Sequence, residues 1–314
     1  MTESNHDFGS LYELLDFFTN ESICEEYLAF TRWGEQPQCP YCNDKNVNSL
    51  KGKTKRYKCY GCRRQFSVRV GTIFHNSKLP LRKWFIAIHL SCSTTKGISS
   101  HQLAKQLNIS QEAAWFLLHR IRETFVQSEK KFKKRSVEID ETLFGGLEKN
   151  KHKEKRTKNN QGRSTKTKAG ILGIIERGEN KQVYAIHVPR LDGNTIIPII
   201  ESKVAKGSTV YTDEYRPYRC LRTNFHHKFV NHSQKKYVIG DAHTNGIENF
   251  WSLLKKNLTG TYHSISKYHL QRYINEVTFK YNNKENRFST VLRKAMGVRI
   301  EYQELVQRKT NKNQ

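Results

Sequence analysis

No apolar run in this 314-residue chain approaches the roughly 20 residues needed to cross a bilayer as a helix, which argues against a membrane-spanning protein. The first 31 residues contain seven acids and no Lys or Arg, so the basic start of a secretory or targeting segment is lacking as well. No internal repeat or low-complexity tract is evident. The expectation is a soluble, cytoplasmic protein in a reducing compartment, long enough for two or three domains. Positive charge, by contrast, is abundant. The formal net charge is +26, and setting aside the seven N-terminal acids leaves +33 on the remainder. Solubility alone asks for a net charge of about 2–8. Such a surplus points to a polyanion, held by salt-sensitive contacts to phosphates, and to nucleoid association.

Four of the seven cysteines are paired, as Cys39-Pro40-Tyr41-Cys42 and Cys59-Tyr60-Gly61-Cys62, with sixteen residues between the pairs. Two tight knuckles at this spacing offer four thiolates to one tetrahedral Zn²⁺, and a closed four-sulfur shell is structural. Arg56-Tyr57-Lys58 enters the second knuckle and Arg63-Arg64-Gln65-Phe66 leaves it, which reads as the short strands of a zinc ribbon over 36–70. Such a module binds nucleic acid or a partner. A disulfide framework is the alternative, but Cys24, Cys92 and Cys220 are scattered and no secretory segment accompanies them.

Residues 1–35 read as N-terminal helices opened by the capping patterns Ser10-x-x-Glu13 and Ser22-x-x-Glu25. Over 71–135 a helical region contains a helix-turn-helix-like stretch from Ser99 to Ser110. Leu103 and Leu107 share a face, Ala104 is small at the crossing, and Ser110 can cap the next helix. That helix is expected to bury Ala113, Phe116, Leu117 and Ile121. It would present Gln111, Glu112, Trp115, His119 and Arg122 to solvent or a groove, making Gln111, His119 and Arg122 candidate DNA contacts. An ordinary helical core is the alternative. The basic run from Lys130 to Arg135 closes the region.

From residue 136 the apolar period changes. Strands near 137–139, 170–175, 182–188, 208–212 and 227–231, with helices near 195–204, 244–257 and 266–282, predict an α/β domain over 136–285. Its order, beginning β-β-β-α-β-β-α, implies a mixed sheet flanked by helices. Residues 147–168 interrupt it with nine Lys/Arg, two Glu and almost nothing apolar, a basic insertion that is either solvated or an electrostatic clamp on DNA. Residues 286–314 read as a basic C-terminal tail.

Three acids fall at revealing places: Asp140 at the end of the first strand, Asp213 at the end of the fourth, and Glu248 in the first turns of the helix near Thr244. In a ribonuclease-H-like (RNase H-like) sheet those strand ends are neighbours and abut that helix. Three carboxylates converging there need cations, and a pair of Mg²⁺ ions (or Mn²⁺) fits hard oxygen ligands and phosphodiester chemistry. Ile247, Phe250, Trp251, Leu254 and Leu258 form the buried stripe of the helix, while Asn245, Glu248, Ser252 and Lys255 lie on another face. Lys255 is then placed to hold a phosphate. His232 and His243 are candidates for orienting a phosphate or water, and Glu138 and Glu141 flank the first acid.

The strings Glu138-Ile139-Asp140-Glu141-Thr142-Leu143-Phe144-Gly145-Gly146, Thr212-Asp213-Glu214-Tyr215-Arg216-Pro217-Tyr218 and Asn245-Gly246-Ile247-Glu248-Asn249-Phe250-Trp251-Ser252-Leu253-Leu254-Lys255 closely resemble bacterial insertion-sequence DDE transposases related to the eukaryotic Merlin elements. Asn231-His232-Ser233, Gly260-Thr261-Tyr262-His263 and the ribbon also look like family signatures, so the resemblance spans about 20–285. It implies an RNase H-like core with Asp140, Asp213 and Glu248 as metal ligands. It also implies double-stranded DNA, as element ends and target, for substrate, and a homodimer or higher oligomer to synapse two ends. Some relatives have Asn for the third acid, and both Asn245 and Glu248 are present here. Two rival readings are a zinc-ribbon/helix-turn-helix regulator that does not cut DNA, and an RNase H-like nuclease.

Overall fold

A computed structural model describes residues 7–50, 52, 55–127, 129, 131–133, 136–146, 152, 154, 165–179, 181–229, 243–262 and 264–306. The chain forms two compact units, Met1–Val126 with Asn283–Gln314, and Gln127–Asn282.

In the first unit, α1 (Leu11–Phe17) is capped by Ser10, whose hydroxyl accepts from Glu13 N. Helix α2 (Glu21–Trp33) starts earlier than its Ser22 pattern suggests, because the Asn20 side chain accepts from Ile23 N. This start puts Glu21 in the first turn, where its carboxylate accepts from Leu81 N at 2.7 Å and Arg82 N at 3.2 Å. Those are orphan donors of α3 (Leu81–Ser93), whose own N-cap Pro80 has no side chain to offer them. The ribbon strands β1 (Val47–Leu50), β2 (Arg56–Cys59) and β3 (Gln65–Ser67) pair antiparallel. Helices α4 (Ser100–Leu107) and α5 (Gln111–Arg122) are capped by Ser99 and Ser110.

The segment expected as a basic tail carries α9 (Arg287–Lys294) and α10 (Tyr302–Val306), with residues 307–314 outside the described residues. Phe288, Val291 and Leu292 of α9 are buried. Phe288 packs edge-on against Phe85 of α3, with ring centroids 5.8 Å apart. The apolar residues of α9 recur at helical spacing among a surplus of basic ones, and the packed face is theirs.

The second unit holds a five-stranded sheet built from β4 (Ser136–Phe144), β5 (Ala169–Glu176), β6 (Val183–Val188), β7 (Thr209–Thr212) and β8 (His226–Phe229), in the order β6-β5-β4-β7-β8. Pairing is antiparallel from β6 to β4 and parallel from β4 to β8. Every residue of β5 is buried, as a strand covered on both faces requires. On one face Ala169, Ile171 and Ile175 meet Ile247, Phe250, Trp251, Leu254 and Leu258 of α7 (Asn245–Thr261) and Tyr273, Ile274 and Val277 of α8 (Leu270–Asn282). On the other, Leu172 and Ile174 meet Ile196 and Ile200 of α6 (Gly193–Lys203) and Tyr218 and Leu221 of a 3-10 segment, Arg216–Thr223. Burying each large side chain of the α7 stripe contributes roughly 1.5–3 kcal/mol, which fixes that helix against the sheet. This is the mixed sheet flanked by helices that the sequence predicts; β4 runs on to Phe144 through its pairing with β5, so Asp140 lies at its middle and not at its end as expected, level with the C-terminal end of β7. Most of 147–168, and all of 230–242 with His232, lie outside the described residues.

Candidate active site

The parallel register pairs Glu138 of β4 with Tyr211 of β7, and two more residues along each strand bring Asp140 level with Asp213. Carboxylate oxygens of Asp140, Glu141 and Asp213 all lie within 4.8 Å of one another. Asp140 is held from the helix side, where Trp251 Nε1 donates to its Oδ2 at 2.9 Å. Glu141, on the opposite face of the strand, accepts from the Tyr218 hydroxyl, and Asp213 accepts from Tyr215 N at 2.9 Å. Burial, with the nearby Asp213 and Glu248 carboxylates, raises the pKa of Asp140 to about 6, against the opposing pull of the Trp251 hydrogen bond. Burial likewise pushes the Tyr218 phenol up, reinforced by Glu141, so Tyr218 stays a donor. Crowded acids of this kind suit a divalent cation with hard oxygen ligands.

Glu248 stands outside that cluster. It is exposed in the first turn of α7, and its Oε1 accepts from Thr244 Oγ1 at 2.8 Å. Asn245 and Lys255 are also exposed on α7. His243 and Asn245 line a cleft of about 310 Å³ with Arg177, Lys181 and Asn249.

Glu138 has a different task. It is buried, accepts from Ile247 N at 3.0 Å, and pairs with Arg177 Nε at 2.9 Å. It thereby satisfies an orphan N–H at the start of α7, where Thr244 makes no side-chain cap. Gly246 permits the approach, since a Cβ there would lie 2.8 Å from Glu138 Oε2. Arg177 extends the joint by donating to His243 O at 2.9 Å.

The ribbon cysteines converge as their spacing predicts. Cys39 Sγ lies 3.6 Å from Cys62 Sγ, and Cys42 Sγ lies 3.5 Å from Cys59 Sγ. A disulfide requires about 2.05 Å, whereas tetrahedral ligands at about 2.3 Å from Zn²⁺ sit roughly 3.8 Å apart. Burial acts to raise the pKa of Cys39, but backbone N–H groups of Tyr41 and Cys42 and the neighbouring thiols outweigh it and bring it to about 7. The donor set fits a structural zinc, and the disulfide alternative fails on geometry.

Residues 134–282 match the ISXO2-like transposase domain, and residues 19–65 match the transposase zinc-ribbon domain. A transposase-like protein of Haemophilus influenzae is 37% identical over 105 residues, 33% of this chain and 84% of that protein. The chain belongs to the ISXO2-like transposase family. A protein in transposable element ISH50 of Halobacterium salinarum is 27% identical over 267 residues, 82% of this chain and 89% of that protein. The transposase is therefore an enzyme of the polynucleotidyl-transferase type, and among its described residues no helix is long and apolar enough to cross a membrane.

The expected reading face of α5 is corrected. Gln111 is exposed, its Nε2 donating to Ser100 Oγ at 2.8 Å, but His119 and Arg122 are buried. Every residue from Leu117 to Arg122 of α5 is buried, so polarity there does not mark a solvent face. Arg120 is buried too, with its guanidinium 5.4 Å over the Trp84 ring and 5.1 Å over Phe116, and burial lowers its pKa to about 10. Ala114 and Leu118 take core places that the sequence reading gave to Ala113 and Phe116, which are only partly buried. Two roles escaped sequence reasoning, the Trp251 bond to Asp140 and the Glu138–Arg177 joint. The signal available was the alternation of β4, which puts Glu138 and Asp140 on one face.

Proposed function

We propose that this transposase binds the terminal inverted repeats of an insertion sequence, cuts the element ends by hydrolysis and joins them to target DNA. The observation that carries the reading is the meeting of Asp140, midway along β4, with Asp213, just past the end of β7, beside the first turn of α7 that bears Glu248. Asp140, Asp213 and Glu248 would hold Mg²⁺ or Mn²⁺, Glu248 after exchanging its bond to Thr244. Bound there, such cations supply activation of the attacking oxygen and neutralise charge on the leaving one. In hydrolysis a water oxygen bonds to phosphorus at the element end, the P–O3′ bond breaks, and the departing O3′ takes a proton. In joining, the freed 3′-hydroxyl bonds to a target phosphorus, its proton passes to the departing target O3′, and one phosphodiester replaces another.

Lys255, exposed two turns beyond Glu248, contacts a phosphate in this reading, and Asn245 and His243 contact the backbone from the cleft. Arg122 and His119 hold α5 in place, leaving Gln111 as the base-facing candidate on that helix. One Zn²⁺ on Cys39, Cys42, Cys59 and Cys62 shapes the ribbon. The protein works in the cytoplasm on nucleoid DNA, as a homodimer or larger assembly that pairs two ends.

Asp140→Ala, Asp213→Ala and Glu248→Ala test the assignment on DNA ending in the element's repeats. Each should abolish Mg²⁺-dependent cleavage and strand transfer while leaving repeat binding nearly intact. Normal cutting by Asp140→Ala would refute the site. Cleavage by the wild type with no strand transfer would favour a nuclease, and repeat binding with no cleavage would favour a regulator.

A further inference from the structure

Asp140 on β4 is the register partner of Gly173 on β5, so both face α7 at the same level of the sheet. Glycine inside a buried strand gives up packing and conformational restriction, and marks a place where another group comes close. The group here is the Trp251 indole. A Cβ built on Gly173 would lie 2.5 Å from Trp251 Cη2, 2.6 Å from Cζ2 and 2.8 Å from Ile247 Cδ1. Cζ2 is two bonds from Nε1, the atom that donates to Asp140 Oδ2 at 2.9 Å. The indole is buried, with 5% of its surface exposed, and lies where any side chain at position 173 would have to be.

We propose that Trp251 is the positioning residue for Asp140, and that Gly173 exists to seat it. The indole N–H occupies Oδ2 and leaves Oδ1 as the oxygen offered to the divalent cation. The arrangement is the carboxylate counterpart of the outer-shell bonds that orient metal-ligating histidines, whose loss typically weakens metal binding about 10–100-fold. This rests on the reading of Asp140 as a metal ligand.

The test is Mn²⁺ binding, followed by the EPR signal of free Mn²⁺, on the full-length chain without DNA. Trp251→Phe keeps an aromatic ring in the core and removes the N–H. It should weaken Mn²⁺ binding by about 10–100-fold at unchanged far-UV circular dichroism. Gly173→Ala should weaken it similarly, and should add little in the Trp251→Phe background, because the shorter ring lacks Cη2 and Cζ2 and leaves only Ile247 Cδ1, the end of a flexible side chain, to give way. Additive effects would show that Gly173 acts independently of the indole, and wild-type affinity in folded Trp251→Phe would overturn the proposal. Wild-type affinity in Asp140→Ala would instead overturn the ligand assignment beneath it. Should Trp251→Phe not fold, the wild type still decides. Of the four tryptophan indole N–H resonances, the one that shifts in Asp140→Asn must also shift when Mg²⁺ is added, and an unmoved resonance refutes the idea.

Discussion

The acid cluster proposed as the active site should cost the metal-free fold stability. Asp140 is enclosed, faces Asp213 and Glu248, and has its pKa raised from 3.8 to about 6. Each pKa unit is worth about 1.4 kcal/mol, so keeping Asp140 ionised in the folded chain costs about 3 kcal/mol at neutral pH. The folded chain holds that proton more tightly than the unfolded chain does. This contribution therefore stabilises the fold below pH 4, is lost as pH rises from about 4 to 6, and stays lost above. Asp140→Asn preserves size and an oxygen to accept the Trp251 N–H, and removes the charge. In EDTA at pH 7.5 the variant should be more stable than the wild type by about 3 kcal/mol. For a unit of this size that raises the melting temperature by about 6–12 °C. Differential scanning calorimetry at pH 4 and pH 7.5 should show the gap closing at the lower pH, where the wild-type carboxyl is itself neutral. Millimolar Mg²⁺ should narrow it at pH 7.5 by binding only the folded wild type. Equal melting temperatures in EDTA at pH 7.5, or a gap that persists unchanged at pH 4, would refute the electrostatic argument.

Three further outcomes are expected. Cys39→Ser should release zinc and unfold the ribbon while sparing the sheet unit; one zinc per chain surviving in the Cys39→Ser, Cys42→Ser double variant, by elemental analysis, would contradict the four-thiolate site. Glu138→Ala should lower stability by about 3–5 kcal/mol in urea titrations, since it leaves Arg177 and Ile247 N without their buried partner, and Glu138→Gln should cost less because its amide oxygen can still accept. Neutralising the nine Lys/Arg of 147–168 should flatten the salt dependence of DNA binding by about 0.9 in the log–log slope for each phosphate contact removed, whereas an unchanged slope marks the segment as merely solvated.

The parts of this molecule legible in its sequence are those set by local spacing. Four cysteines on two knuckles have one geometry available to them, and the sulfurs converge at 3.5 and 3.6 Å. Short apolar runs, alternating at 137–139 and continuous at 170–175, mark strands of the sheet, and the acids of the first and fourth strands do meet, although Asp140 sits midway along β4 and not at its end. The misses are cases where a distant segment decides. Thr19-Asn20-Glu21-Ser22 offers more than one N-cap, and the start at Asn20 is the one that brings Glu21 to the bare N-terminus of α3, some sixty residues away. Helix α5 carries His119 and Arg122 on what local amphipathicity reads as a solvent face, yet both are buried. Residues 287–294 look like a charged tail until Phe288 is seen against Phe85.

The most consequential of these distant decisions is Trp251. Helical spacing assigns it to the apolar stripe of α7, and it does lie there, beside Phe250 and Leu254. Tryptophan has a second property that spacing does not register, a polar N–H on the edge of an apolar body, which needs a partner when buried. The partner is Asp140, the carboxylate on that face proposed as a metal ligand. Once Asp140 is known to face α7, its pairing with a mid-strand glycine becomes informative, because the two residues together describe a slot of indole shape. The sequence contains both halves of that description, at 173 and 251, but only the register of β4 with β5 and the docking of α7 by Glu138 bring them together.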